Sequence, residues 1–246
     1  MCDGARCPNR GECYSTGTAT FMIMGDVCTR DCRFCAVPGG ETALLRFDEP
    51  EAVARAAALL GLRHVVVTSV TRDDLPDGGA AHFARTVEAV RDALPGATVE
   101  VLVPDFLGDA RAVKTVVRAR PDVFNHNIET VRRLYPAVRP RADYRRSIEV
   151  LALAADQGLL AKSGFMVGLG EVAGEVSGLL SDLRSAGCAM VTAGQYLQPG
   201  ASNVPVARYW EPVEFDWLEA EARSLGFEAV AAGPLVRSSY RAGELL

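Results

Sequence analysis

The chain has 246 residues, of which 49% are hydrophobic and 23% charged, a balance typical of a globular protein with one sizeable core. Its formal net charge of -5 provides no positive field for a polyanion, so the composition argues against nucleic acid as a partner. No run approaches the ~20 apolar residues of a membrane span, and the N-terminus lacks the basic and apolar stretches of a secretory signal. We therefore predict a soluble, cytoplasmic protein with no membrane partner.

From residue 19 onward, apolar runs alternate with stretches of helical composition. The run 19–24 is apolar enough for a buried strand, and 64–70 is β-branched and apolar on both faces, as a buried parallel strand should be. Between them, 49–62 has helical composition with Pro50 near its start. Glycine and Pro-Gly breaks separate the later segments. The other predicted helices are 82–96, 110–120, 144–158, 175–187 and 214–226, and the other predicted strands are 98–104, 123–129, 159–171, 190–200 and 227–235.

Strands joined by single helices imply right-handed crossovers and a parallel sheet, which either lies open and doubly wound or curves into a partial barrel. Periodicity alone does not choose between them. Polar residues gather at the carboxyl ends of several predicted strands, as an active site at a barrel mouth requires. These residues are Thr68, Ser69, Thr71, Arg72, Asp73, Asn125, Asn127, Glu129, Gln195 and Gln198. We therefore predict an α/β fold with a partial (β/α)6-type parallel barrel.

Cysteines are concentrated at the start of the chain, where six of the seven fall within the first 35 residues. They form two triplets, Cys2-x4-Cys7-x5-Cys13 and Cys28-x3-Cys32-x2-Cys35. A chain with a core of this size does not need disulfide staples, and structural zinc usually takes four ligands that arrive as two close pairs. Triplets suit cubane iron-sulfur clusters, in which thiolates hold three irons and leave the fourth for a substrate or an unusual ligand.

The second triplet resembles the signature of the radical S-adenosylmethionine superfamily, and the first, read as CDGARCPNRGEC, resembles the auxiliary-cluster motif of lipoyl synthases. A single Cys-x3-Cys-x2-Cys motif specifies only the superfamily, whereas two triplets together with the terminal Arg-Ser-Ser-Tyr are much more specific. Other segments resemble the same family in order across nearly the whole chain: TATFMIMGDVCTRDCRFCAV, VTSVTRDDLPDGGA, NHNIETV, MVGLGE, GQYLQP and GPLVRSSY.

The resemblance implies a division of labour between two 4Fe-4S clusters. Cys28, Cys32 and Cys35 would hold a cluster whose open iron is chelated by the amino and carboxylate groups of S-adenosyl-L-methionine. Reductive cleavage of that cofactor gives a radical that takes hydrogen from unactivated C-H bonds. In the family, hydrogens are taken from C6 and C8 of an octanoyl chain on a lysine of a lipoyl carrier domain. The auxiliary cluster gives up two sulfides to those positions.

The auxiliary cluster would be held by the first triplet, Cys2, Cys7 and Cys13, and capped by a serine. The candidates are Ser238 and Ser239, between which the sequence does not decide, and we favour Ser238. A serine alkoxide is a hard ligand on a cluster otherwise held by soft thiolates, so it is a plausible release point for the cluster. Such a ligand would tie the C-terminal tail to the N-terminal segment across the barrel mouth.

The resemblance also suggests contacts to S-adenosylmethionine. Gly168, in a glycine-containing strand end, would let the adenosine moiety approach the backbone, although a simple turn explains the same pattern. Asn127 and Glu129 would contact polar groups of the cofactor, as would Thr68 and Ser69, unless the backbone satisfies these strand-end side chains.

Six arginines lie in the segment 131–146, and such a run is usually a solvated helix face and loop. The functional alternative is docking of an acidic carrier domain or binding of the cofactor carboxylate. Cys188 lies far from both triplets and is predicted to be a small buried hydrophobe.

We predict one domain over 1–246, with an auxiliary-cluster segment at 1–18, a barrel at 19–230 and a tail at 231–246. Lipoyl synthases usually carry some tens of residues before the first cysteine, whereas Cys2 directly follows Met1 here. Either the start lies upstream, or the segment is missing and the auxiliary cluster is more exposed to oxygen.

The partners implied by the resemblance are octanoylated lipoyl carrier domains of the 2-oxoacid dehydrogenase or glycine cleavage type. An electron donor such as a ferredoxin or flavodoxin and an iron-sulfur carrier for cluster repair would also be needed. The alternative function is another radical sulfur-inserting enzyme with a different substrate. A simple electron carrier fits poorly, because it needs no cluster with an open iron.

Overall fold

The computed structural model describes residue 7 and residues 9–246, and within them seven strands alternate with helices. The strands are β1 (Thr18–Ile23), β2 (His64–Ser69), β3 (Thr98–Leu102), β4 (Val123–Asn125), β5 (Leu160–Val167), β6 (Met190–Gln195) and β7 (Ala229–Gly233). Each lies within or beside a strand predicted from hydrophobic periodicity, which confirms the predicted alternation.

The helices are α1 (Arg10–Ser15), α2 (Glu49–Leu59), α3 (Ala80–Ala93), α4 (Ala110–Arg118), α5 (Tyr135–Val138), α6 (Tyr144–Asp156), α7 (Ala173–Ser185) and α8 (Pro212–Ser224). Short 3-10 turns span Phe106–Gly108, Arg132–Leu134 and Ala242–Glu244. Local chemistry sets several of the helix starts. The Asp109 side chain accepts a hydrogen bond from the Arg111 amide at the start of α4, and Pro50 lies in the first turn of α2.

All seven strands end earlier in the structure than the apolar pattern suggests, and β4, β5 and β6 do so by four or five residues. Beyond the end of β4 at Asn125, a single bridge joins Glu129, which has a φ of 66°, to Phe165 of β5. β5 stops at Val167 because Gly168 has a φ of 94°.

All seven strands are parallel and follow one another in the order β1-β2-β3-β4-β5-β6-β7. Because right-handed crossovers that always advance in one direction place every helix on the same face, this order excludes a doubly wound sheet. Consecutive helices accordingly pack side by side, α2 on α3, α3 on α4, α4 on α6 and α6 on α7. The sheet of the described residues is a partial barrel that does not close, as predicted, with seven strands.

The hydrophobic core lies between the outer face of the sheet and this helical layer. On the β2 side, Val65 and Val67 are fully buried in one cluster with Phe83 and Val87 of α3. Full burial of such side chains stabilises the fold by about 1.5–3 kcal/mol each. The core therefore holds the strands in place without using the inner face of the barrel.

Inside the barrel, Glu100 and Lys162 form a fully buried ion pair with Nζ–O distances of 2.9 and 3.1 Å. The Asn125 amide donates a further bond of 2.8 Å to Glu100 Oε1, and His64 Nε2 lies 3.6 Å from Glu100 Oε2. Burying charges is tolerable only when they are paired and hydrogen-bonded, as they are here. This network joins β2, β3, β4 and β5.

The open side of the barrel is covered by the N-terminal helix and the C-terminal tail. Asn9, which precedes α1, donates a hydrogen bond of 2.6 Å to the Leu235 carbonyl, and the Tyr240 hydroxyl lies 3.2 Å from both carboxylate oxygens of Glu12. Arg241 pairs with the same Glu12 carboxylate. The predicted closure of the barrel mouth by both terminal segments is confirmed.

The tail passes very close to β6 at Gly194. A Cβ atom at this position would lie 2.0 Å from the Val236 carbonyl oxygen and 3.2 Å from the Arg237 side chain. Only glycine allows that approach. Further along, Gly243 lies against His64 and Thr18, so the tail reaches the opposite edge of the sheet.

We expect Gly194→Ala to lower the free energy of unfolding by about 1–3 kcal/mol, because the added methyl displaces the Val236 backbone. The matched control is Gly178→Ala on the exposed face of α7, where a Cβ meets nothing within 4 Å. This control should stabilise the protein by about 0.5–1 kcal/mol. Urea midpoints measured without oxygen compare the two, and equal midpoints would contradict the close approach of the tail.

Lys162→Met should lower the free energy of unfolding by about 3–5 kcal/mol, because it leaves the Glu100 carboxylate buried without its cation. The double variant Glu100→Gln with Lys162→Met should recover most of that loss. Urea unfolding of the single and double variants measures the coupling. Additive losses in the double variant would show that the two side chains do not act as a pair.

Candidate functional site

A cavity of about 610 Å³ opens at the carboxyl ends of the strands, where a parallel barrel places its active site. The described cysteines of both triplets line it, together with both serines of the tail and polar residues that follow the strands. These lining residues include Cys7, Cys13, Cys28, Cys32, Cys35, Thr68, Ser69, Asn127, Glu129, Ser238 and Ser239. Two sequence regions more than two hundred residues apart thus meet in one chamber.

The second triplet lies in the loop that follows β1. Cys28 is fixed by a bridge to Gly39, and its Sγ accepts hydrogen bonds from the Arg30 amide (3.4 Å) and the Thr71 amide (3.3 Å). Cys35 Sγ accepts one from the Val37 amide at 3.4 Å. Backbone donors aimed at sulfur stabilise thiolates in iron-sulfur sites.

Burial raises the pKa of the Cys35 thiol to about 11, against the opposing hydrogen bond from Val37. Burial also raises the pKa of Cys32, and the nearby Arg139 charge opposes that rise. These thiols therefore keep their protons at neutral pH until a metal displaces them.

The cysteine loop is anchored by Arg30, whose side chain is buried. Its guanidinium forms a two-bond fork with Asp73 (2.7 and 2.8 Å) and a third bond of 2.6 Å to Asp105. Burial alone would raise the pKa of Asp105, but the hydrogen bond and charge of Arg30 lower it to about 2. Since Asp73 follows β2 and Asp105 follows β3, one side chain joins the loop to two strand ends.

The outer side of the loop is held by backbone contacts. The Arg33 amide donates to the Val138 carbonyl of α5 at 2.9 Å, and the Asn203 side-chain amide donates to the Cys35 carbonyl at 2.9 Å. Arg141 donates to the Thr29 carbonyl. The loop is thus braced from several sides before any cofactor is bound.

The first triplet is only partly described. Cys2 lies outside the described residues, Cys13 is buried on α1, and Cys7 and both tail serines are half-buried along the same cavity. The Arg237 side chain is close enough to Cys7 for the two to interact electrostatically. The structure thus brings the N-terminal cysteines and the tail together, while the choice between Ser238 and Ser239 stays a prediction.

Within residues 7 and 9–246, no three His, Cys, Asp or Glu side chains converge as they would on a single metal ion. A cubane cluster places each thiolate on a different iron, so its protein ligands stand further apart than the ligands of one zinc ion. A loop with three thiols, amide donors to sulfur and an adjoining cavity fits a cluster better than zinc.

The predicted cofactor contacts differ in their local bonding. Thr68 donates to the Leu102 carbonyl at 3.0 Å, so the backbone satisfies its hydroxyl. Ser69 Oγ and Asn127 Oδ1 are buried and have no hydrogen-bond partner among the described residues. Burial raises the pKa of Glu129, and Arg139 opposes that rise. Ser69, Asn127 and Glu129 therefore have free capacity for a polar ligand.

Gly168 has a packing reason to be glycine. Its Cα faces the Gln195 side chain and the Arg208 carbonyl, which a Cβ would approach to 2.2 and 2.6 Å, and it does not line the cavity. Its role as a cofactor contact stays a prediction. Gly164 does line the cavity, and a Cβ there would lie 2.8 Å from Asn127 Oδ1 and Thr192 Oγ1.

Two buried residues, Arg30 and Glu171, were not singled out from the sequence, and for the arginine run that contains Arg139 both a solvated face and binding of the cofactor carboxylate were left open. Arg30 gave no signal of its own burial, although its place inside the cysteine motif pointed to the loop. Arg139, from the arginine run, is buried beside Tyr135 rather than solvated, and its Nε has no hydrogen-bond partner among the described residues. Glu171 accepts hydrogen bonds from the Gly168 amide (2.6 Å), the Leu169 amide (2.9 Å) and the Trp210 indole (2.9 Å).

A family model of the radical SAM superfamily matches residues 22–183. Lipoyl synthase of Rubrobacter xylanophilus is 57% identical over 246 residues, which cover 99% of this chain and 77% of the relative. Lipoyl synthase of Caldanaerobacter subterraneus subsp. tengcongensis is 58% identical over 244 residues, which cover 98% of this chain and 86% of the relative.

The chain belongs to the lipoyl synthase family. The resemblance stated from the motifs is confirmed, and this membership makes the protein a radical SAM enzyme. Among solved structures, Streptococcus suis SuiB bound to S-adenosylmethionine superposes with a TM-score of 0.69 at 10% identity, over 90% of this chain and 52% of that one. At that identity the likeness concerns the fold alone, and it agrees with the partial barrel. Lipoyl synthases of this superfamily use S-adenosylmethionine and two 4Fe-4S clusters.

Among the residues that the structure describes, no helix is both long and apolar enough to cross a membrane.

Anaerobically reconstituted protein should bind two 4Fe-4S clusters, or about eight irons per chain, because two separate cysteine triplets are present. Replacing either triplet by alanine should remove half of the iron. The matched control is Cys188→Ala, a buried cysteine away from both triplets, which should keep both clusters. Iron analysis and visible absorption measure the outcome, and stoichiometric zinc with no iron retained would contradict it.

Proposed function

We propose that this enzyme inserts two sulfur atoms at C6 and C8 of an octanoyl chain attached to a lysine of a carrier protein. The observation that carries the proposal is the cavity that the described cysteines of both triplets line together with Ser238 and Ser239. A shared chamber lets one substrate chain meet a radical source and a sulfur source without leaving the protein. Each triplet supplies three of the four ligands that a cubane cluster needs.

The cofactors supply the hard chemistry: bound at Cys28, Cys32 and Cys35, a 4Fe-4S cluster and S-adenosylmethionine together generate the oxidising carbon radical. The protein contributes position. Arg30 holds the cysteine loop on the ends of β2 and β3, and Asn203 holds it from the opposite side. This rigidity keeps the reacting centre in one place between two successive hydrogen abstractions.

We assign the polar end of the cofactor to the unpartnered groups on the cavity wall. Ser69 Oγ and Asn127 Oδ1 would accept hydrogen bonds from its amino and hydroxyl groups, while Glu129 is hydrogen-bonded to Asn127 and interacts electrostatically with Arg139. The buried Arg139 guanidinium offers its free Nε–H to a carboxylate.

An octanoyl chain needs an apolar wall, and the same cavity provides one. Met22 of β1, Leu102 of β3, Met166 of β5 and Leu197 after β6 line it. Methionine side chains adapt their shape to a flexible aliphatic chain. We therefore assign the octanoyl chain to the inner face of the barrel, between the described cysteines of the two triplets.

The auxiliary cluster is a sulfur-donating co-substrate held by Cys2, Cys7 and Cys13, with Ser238 as its fourth ligand. Support comes from the tail, which Gly194 admits close to β6 and which Glu12 ties to the N-terminal helix. The segments 1–18, 19–230 and 231–246 thus act as one domain around one chamber.

The partners follow from the reaction. The substrate is an octanoylated carrier domain of the 2-oxoacid dehydrogenase or glycine cleavage type. A ferredoxin or flavodoxin supplies electrons, and an iron-sulfur carrier rebuilds the donated cluster. Because a reducing compartment keeps cysteines as thiols, we assign the reaction to the cytoplasm.

Damage to each triplet should stop the reaction at a different stage. With reductant, S-adenosylmethionine and an octanoylated lysyl peptide, the intact protein should yield 5'-deoxyadenosine and a dithiolated peptide. Alanines at Cys2, Cys7 and Cys13 should leave cofactor cleavage but abolish sulfur addition. Alanines at the second triplet should abolish both, since the radical source is lost. Mass spectrometry of the peptide and chromatography of the nucleoside measure the two stages.

The double variant Ser238→Ala with Ser239→Ala should behave like loss of the first triplet. Ser181→Ala, on the exposed face of α7, is the matched control and should keep full activity. If protein that holds both clusters cleaves the cofactor but never modifies the peptide, the substrate assignment is wrong and another substrate of the same reaction class takes its place. No cleavage at all would overturn the radical mechanism.

A further inference from the structure

The sulfur of Cys28 receives a hydrogen bond from outside its own loop. Besides the local Arg30 amide, the Thr71 amide donates to Cys28 Sγ at 3.3 Å, and Thr71 lies in the segment after β2. The Arg30 and Val37 amides that donate to Cys28 and Cys35 lie within the cysteine loop, whereas the Thr71 amide comes from a different loop. The length of the Thr71 bond therefore depends on whatever holds the two loops together.

Thr29 supplies that connection. Its amide and its hydroxyl both donate to the Thr71 carbonyl, at 3.1 and 3.0 Å, and its Oγ1 accepts a bond of 3.1 Å from the Asp73 amide. One hydroxyl thus contacts the backbone on both sides of Arg72. We name this set of contacts among Thr29, Thr71 and Asp73 the threonine clamp.

The Arg30 fork reinforces the clamp. The guanidinium binds the carboxylate of Asp73, the same residue whose amide donates to Thr29. It also binds Asp105, a fully buried residue that follows β3, and this contact fixes the guanidinium relative to the sheet. Asp73 is therefore held at its backbone and at its side chain.

Thr29 itself does not line the cavity, whereas Thr71 does. Thr29 therefore acts on the site through Thr71 and not by contact with a ligand. The clamp fixes the position of the Thr71 amide, which donates a hydrogen bond to Cys28 Sγ. Hydrogen bonds to cluster sulfurs stabilise the extra negative charge of the reduced state and raise its potential. A looser clamp would lengthen the bond and make reduction harder.

We propose that Thr29 is a positioning residue that tunes the reduction of the cluster at Cys28, Cys32 and Cys35 by holding the Thr71 amide on Cys28 Sγ. One electron enters that cluster from an external low-potential reductant, and no covalent bond of the protein forms or breaks. The inference rests on the proposed function, in so far as that function requires a 4Fe-4S cluster at these cysteines.

The test uses the full chain with alanines at Cys2, Cys7 and Cys13, so that one cluster remains to be titrated. In this parent, Thr29→Val keeps the side-chain volume and removes the hydroxyl. An EPR-monitored redox titration should find the reduction equilibrium about tenfold less favourable, which is about 59 mV lower for one electron. Iron content should be unchanged.

Two matched variants separate this effect from general damage. Thr29→Ser keeps the hydroxyl and should restore the parent potential. Thr42→Val removes a hydroxyl that bonds Asp74 at 2.9 Å near the same loop without contact to a cysteine, and it should leave the potential unchanged. Equal shifts in Thr29→Val and Thr42→Val would overturn the proposal.

Thr29→Ala provides an independent test should Thr29→Val lose its cluster. It also removes the hydroxyl and changes no charge, so the potential should fall in the same direction. An intact cluster at the parent potential in this variant would overturn the inference and leave the proposed function standing. A parent that binds no iron at Cys28, Cys32 and Cys35 would overturn both.

Discussion

Strand order is the constraint on which the rest of this molecule depends. Each strand pairs only with its neighbours in sequence, so the sheet advances in one direction and keeps its crossover helices outside. The inner face is then free to line a chamber with polar and apolar walls. The same order leaves β1 and β7 without a strand between them, and a curved parallel sheet cannot bury that gap by itself. The terminal segments fill it, and they bring Cys7, Cys13, Ser238 and Ser239, four of the seven predicted metal ligands that the structure describes, to the chamber.

Buried charged side chains fix the position of the cysteine loop. A loop with little regular structure has many conformations, and fixing it costs about 1–2 kcal/mol per residue in backbone entropy. The structure offsets this cost with the Arg30 fork and with the Asn203 contact on the opposite side. Because Asp73 follows β2 and Asp105 follows β3, their contacts with Arg30 fix the cysteine loop relative to the sheet.

The strands and the cysteine sites were predictable because both leave local signals: β-branched runs such as 64–70, and thiols at fixed spacing. Contacts between residues that are far apart in the sequence leave no such local signal. Arg30 has the same appearance in the sequence as any loop arginine, and its partners are known only once β2 and β3 lie side by side. For Arg139 the sequence leaves both a solvated run and a carboxylate-binding role open, and only tertiary packing shows that it is buried. Gly194 looks like an ordinary strand glycine until the path of the tail is known.

The close approach of the tail to Gly194 also has a consequence for biosynthesis on the ribosome. The cysteine loop is made early, but Asn203, which holds the Cys35 carbonyl, follows β6, and Val236, which packs on Gly194, follows β7. A single domain folds as a unit. The chamber therefore takes its final shape only when the nascent chain is nearly finished.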